Sequence, residues 1–136
     1  MNASELWAAI EKELKTIQSL GLENAHLRNK IFALQKELDA LAVRRKDSEL
    51  LDATMQYTFE MVGNMTKANS ASDDMTIQIM DTTSDLQLDL PVPISRLEKI
   101  LETARSARIA AEIVRRNLID ILDQVKQLKS DSEPKA

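Results

Sequence analysis

The side chains that could perform chemistry are few in this sequence, and their spacing does not assemble a reactive site. The only histidine is His26 and there is no cysteine, so no zinc constellation, thiolate nucleophile or His-activated hydroxyl can be composed. The two glycines, Gly21 and Gly63, stand alone in helix-like surroundings, which excludes a glycine-rich phosphate cradle. The 22 Asp and Glu residues are scattered as solvated helix charge, with no fold cue for a dry pocket holding a carboxylate pair. Arg105, Arg108, Arg115 and Arg116 share one side of a helical stretch, interrupted by Glu112, and that side is the one place where phosphates could be met. A net charge of -4 supplies no long-range attraction for a polyanion. The expectation is therefore a non-enzyme with no catalytic residue, metal or cofactor. Nucleic-acid regulation through the arginine side is kept as the alternative use.

What remains are surfaces that bind other proteins, and these are set by helical periodicity. From Leu6, alternating steps of four and three reach Ile10, Glu13, Ile17, Leu20, Asn24, Leu27, Ile31, Leu34, Leu38 and Leu41. Ile at most a positions and Leu at most d positions is the preference of parallel two-stranded coils. A single a-position Asn24 selects alignment, because two such amides satisfy each other only in a parallel, in-register pair. The spacing predicts a homodimer interface of Leu6, Ile10, Ile17, Leu20, Asn24, Leu27, Ile31, Leu34, Leu38 and Leu41, with a heterodimer left open. Asn2 with Glu5 three residues on marks the helix start, and Trp7 covers the first layer. The competing reading is one long amphipathic helix packed within its own chain.

Past Leu41 the same register puts Arg45, Ser48 and Asp52 in the seam, so the two-stranded packing is expected to loosen around Arg44-Arg45-Lys46. Leu50 to Met65 then carry an apolar surface wider than a zipper needs, and Gly63-Asn64 reads as a helix stop. Residues 66–74 have loop composition. Beyond them Met75, Ile77 and Ile79, then Leu86, Leu88 and Leu90, alternate with polar residues around a polar turn, the pattern of a β-hairpin. The alternative is a disordered motif in which Ile77, Ile79, Leu86, Leu88 and Leu90 dock on a partner's sheet edge. Pro91 and Pro93 break this segment. Ser95 with Glu98 predicts a second capping box and a helix over about 95–130, whose broad, alanine-bearing stripe suits packing against two neighbours.

The expected architecture is thus mainly α. Residues 1–43 form a long helix in a parallel dimeric coiled coil. Residues 44–130 form a small helical head with the hairpin insertion at 66–92, and residues 131–136 form a flexible tail. The head core is predicted to comprise Met55, Phe59, Val62, Leu97, Leu101, Ala104, Ala111, Leu118, Ile121, Leu122 and Val125. With no cysteine and no apolar run approaching a membrane span, the chain reads as intracellular, cytoplasmic or nuclear, without membrane partners.

The run from Leu22 through Asn24, Leu27, Ile31 and Leu34 to Leu38 resembles the zipper half of basic-leucine-zipper transcription factors. That family joins a basic helix to its zipper, and Met1 to Glu5 contain no Lys or Arg. Helix, hairpin, helix is similar to the layout of prefoldin chaperone subunits, though unequal helices and a parallel zipper depart from it. A parallel coil leading into a small head resembles, in architecture alone, small kinetochore and tethering-complex subunits. These likenesses imply a dimeric scaffold or adaptor subunit that recruits other proteins through its head.

Overall fold

The computed structural model describes residues 1–133, which form three helices and, among the described residues, no strand: α1 (Ala3–Arg45), α2 (Ser48–Gln87) and α3 (Ile94–Ser132). The fold is mainly α. Of the tail expected over 131–136, Asp131 and Ser132 belong to α3 and residues 134–136 lie outside the described residues.

Each helix end has an identifiable cause. Asn2 accepts the Glu5 amide at 2.8 Å, capping α1. At the other end Lys46 adopts a left-handed φ of 52°. The Asp47 amide reaches the Ala42 carbonyl at 2.9 Å and the Lys46 amide reaches Val43 at 3.3 Å, which together close a Schellman motif. Asp47 then caps α2 by accepting the Leu50 amide at 3.0 Å. The polar interval in the heptads is therefore a turn between two helices. The same motif ends α2, with Asp89 at φ 54° and the Leu90 amide on the Asp85 carbonyl at 2.9 Å. α3 starts at Ile94, one residue ahead of Ser95, so the Ser95–Glu98 pair lies inside the helix and is not its cap.

The hairpin and the 66–74 loop are both replaced by helix. Ala68, Ala71, Ser72, Met75, Ile79 and Thr82 recur at helical spacing and form the covered side of α2. Met75 and Ile79 satisfy strand alternation and helical spacing alike, which is why the sequence pattern misled. The threonines there are poor helix formers, yet Thr66, Thr76, Thr82 and Thr83 each donate a hydroxyl hydrogen bond to the carbonyl four residues back, at 2.9 Å. Fully buried Thr82 is satisfied in this way. The helix–hairpin–helix layout that resembled prefoldin is consequently absent.

Gly63 is no helix stop. It sits within α2 without positive φ, and a Cβ built there would meet nothing within 4 Å. Gly63→Ala is therefore expected to stabilise the protein by about 1 kcal/mol through helix propensity. A left-handed stop would give the opposite sign, so the shift of the urea midpoint decides the matter.

Contacts divide the chain into two units, one of Met1–Gly21 with Lys67–Ile113 and one of Leu22–Thr66 with Val114 onward. In the first unit Leu6, Ile10, Leu97, Ile100 and Leu101 form a core layer against which Trp7, Leu14, Ile79 and Val92 pack. Ile17, Met75, Ala104 and Ala107 form the next. The alanines keep side-chain volume low where three helical segments meet. In the second unit Ile31, Leu38, Ala42, Leu50, Met61, Val114, Leu118, Ile121, Leu122 and Val125 are buried.

Candidate docking surfaces

Several of the charged side chains singled out above are engaged structurally. Arg108 holds Glu13 at 2.6 Å and Glu112 at 3.0 Å. The hydrogen bond it donates to Glu112, then the one it donates to Glu13, raises its pKa above the ordinary value. Arg115 pairs with Glu23 at 3.1 Å and Lys129 with Glu37 at 2.7 Å, and the Glu37 hydrogen bond raises the Lys129 pKa. These pairs clamp α3 to α1 within each unit. Being partly exposed, they are worth little stability, but they consume part of the positive side considered for phosphates. Among the described residues no group of three or more His, Cys, Asp or Glu is placed to hold a metal, and no helix is long and apolar enough to cross a membrane. His26 is exposed on α1. An open groove of about 700 Å³ in the first unit mixes Leu6, Leu101 and Ile109 with Glu98, Glu102 and Arg105. It lacks the closure a reactive pocket needs.

The predicted zipper seam is turned into its own chain. Leu6, Ile10, Ile17, Leu20, Ile31 and Leu38 are buried by the single chain, Leu27, Leu34 and Leu41 are partly covered, and Asn24 is only 2% exposed. No second copy is needed to bury this stripe, and the intrachain helix reading describes it. Gln35, absent from the predicted seam, is buried as well and donates to the Thr54 carbonyl at 3.2 Å.

The predicted head core separates into two groups. Leu97, Leu101, Ala104, Ala111, Leu118, Ile121, Leu122 and Val125 on α3 are buried. Met55, Phe59 and Val62 are 50%, 70% and 52% exposed, a correction with a geometric reason. α2 presents Leu50, Thr54 and Met61 inward, and the other three lie well round the helix from that line. Together with Leu51 they form one exposed face at steps of four, four and three. On α1, Phe32 and Val43 are also exposed, on the flank that carries Asp39, whose carboxylate lies 2.5 Å from the Thr54 hydroxyl. That contact turns the flank toward α2, so Phe32 and Val43 border the same apolar face. Periodicity showed these residues as apolar but gave no way of telling which of two apolar stripes faces inward.

The predicted docking residues sit in the first unit. Ile77 is exposed and Ile79 half-buried on α2. Leu86 ends that helix, while Leu88 and Leu90, with Ile94 beyond, are exposed on the connector to α3. The connector is held in place. The Schellman motif fixes its entry, Val92 packs on the first core layer, and Arg96 pairs with Asp85 across its base. Pro91 and Pro93 keep Leu90 and Val92 out of helical conformations.

No protein-family model, curated protein or solved structure matches this chain.

Proposed function

We propose that the protein is a non-catalytic scaffold or adaptor subunit that joins other proteins into an assembly, working in the cytoplasm or nucleus. The observation that carries this reading is the connector between α2 and α3. It holds Leu86, Leu88, Leu90 and Ile94 in solvent on a backbone tied at both ends. Exposed leucines on an anchored, proline-stiffened segment favour docking, because little ordering entropy is lost when a partner's apolar cleft covers them. Asp89, exposed between Leu88 and Leu90, favours a cleft with a basic rim. The reading drops the hairpin but keeps the docking role expected of Leu86, Leu88 and Leu90. Nucleic-acid regulation is less well supported, since Arg108 and Arg115 are already paired with carboxylates.

The test is quantitative affinity purification from the native source, wild type against a Leu88→Asp, Leu90→Asp double variant. Both positions are exposed, so the helical circular dichroism should not change. Specific partners present with wild type should be lost with the variant. Identical sets would sink the proposal.

A further inference from the structure

The exposed α1/α2 face of the second unit is a surface of a different kind, and the geometry points to its occupant as a second copy of this chain, packed about a two-fold axis parallel to the helices. The inference rests on the scaffold reading only in that a scaffold joins more than one chain.

On α1, Leu22, Ala25, Asn29, Phe32, Lys36, Ala40 and Val43 recur at steps of three and four, and all but half-buried Ala25 are exposed. This is a second stripe, offset from the buried one. On α2 it is matched by Leu51, Met55, Phe59 and Val62. Phe32, Val43 and these four leave between 36% and 70% of their surface open, on the order of 700 Å² of mostly apolar area. That approaches the ~800 Å² one partner contributes to a standard interface, and exceeds the few hundred Å² of an ordinary monomer patch.

The register makes the face self-complementary. α1 and α2 run antiparallel through the turn at Lys46, and the Asp39–Thr54 contact sets which residues stand level. By that register Phe32 is level with residues 59–62 and Val43 with Leu51. A two-fold axis along the helices lays each α1 on the other copy's α2. Phe32 then meets the second copy's Phe59 and Val62, and Val43 meets its Leu51, in two symmetric sets. The product is a four-helix layer with Phe anchors in its middle.

Sedimentation equilibrium on the full-length protein tests this. Wild type should be a dimer at micromolar concentration. Phe59→Glu should weaken association at least a hundredfold while leaving circular dichroism intact, since Phe59 is 70% exposed. Phe32→Glu, on the α1 half of the same contact and 58% exposed, should weaken association to a similar extent. A monomeric wild type, or a dimer indifferent to Phe59→Glu or to Phe32→Glu, would overturn the inference. None of these results touches the connector, whose leucine variants are read by partner recovery, so either idea can fail alone.

Discussion

Leu118→Asp is expected to unfold the second unit at neutral pH. Leu118 is 0% exposed, and Val114, Ile121, Leu122 and Val125 around it on α3 are all buried. Truncating such a leucine to alanine costs about 2–5 kcal/mol from lost burial and the cavity left behind. An aspartate adds the desolvation of a buried carboxylate, several kcal/mol more. The sum rivals the roughly 5–15 kcal/mol by which domains are stable at all. Limited proteolysis should show cleavage spreading through residues 22–66 and 114–133, with loss of helical circular dichroism. Ile119→Asp is the control, because Ile119 is 42% exposed and a surface change there should stay within about 0.5 kcal/mol. Equal resistance of wild type and Leu118→Asp would show that α3 has been turned the wrong way.

The contrast between Leu118 and Ile119 also shows what the sequence could convey. α3 was legible because its inner face is nearly all aliphatic and alanine and begins just after two prolines, so one period accounts for it. α1 was half legible. The heptads identified the covered face, but periodicity says only that a stripe is buried, and an intrachain neighbour and a second copy produce the same stripe. Asn24 did not decide between them, since a buried amide in a helical stripe suits an alignment layer of a dimer and a polar position in a single-chain core alike. α2 was least legible. Its covered side past Thr66 is built of Ala68, Ala71, Ser72 and Thr82, residue types common in loops. Its helix is held by Met75, Ala71 and Ile79 packing with Ile17, Ala104 and Ala107, while the threonine hydroxyls are satisfied on the helix's own carbonyls, and composition reveals neither. The apolar character of Met55, Phe59 and Val62 then suggested a core, when the inward positions belonged to Leu50, Thr54 and Met61.

Ile10→Ala separates the two meanings of the α1 stripe by how its cost responds to protein concentration. Ile10 is fully buried against Leu6, Leu97, Ile100 and Leu101, with Trp7 packed beside them. All of these are in the same chain. The truncation should cost about 2–5 kcal/mol, toward the upper end if Trp7 cannot collapse into the space. Because the layer is intramolecular, the loss should be the same at any protein concentration. Measured in a Phe59→Glu background, which removes association through the second unit, the urea midpoint should fall by an equal amount at 1 and 100 µM, concentrations spanning about two decades. A zipper layer would behave otherwise. There Ile10→Ala would act on both copies, folding and association would be linked, and each tenfold dilution would lower the stability of the pair by about 1.4 kcal/mol. A midpoint that climbs with concentration in the Phe59→Glu background would restore the dimeric seam and overturn the intrachain packing of α1.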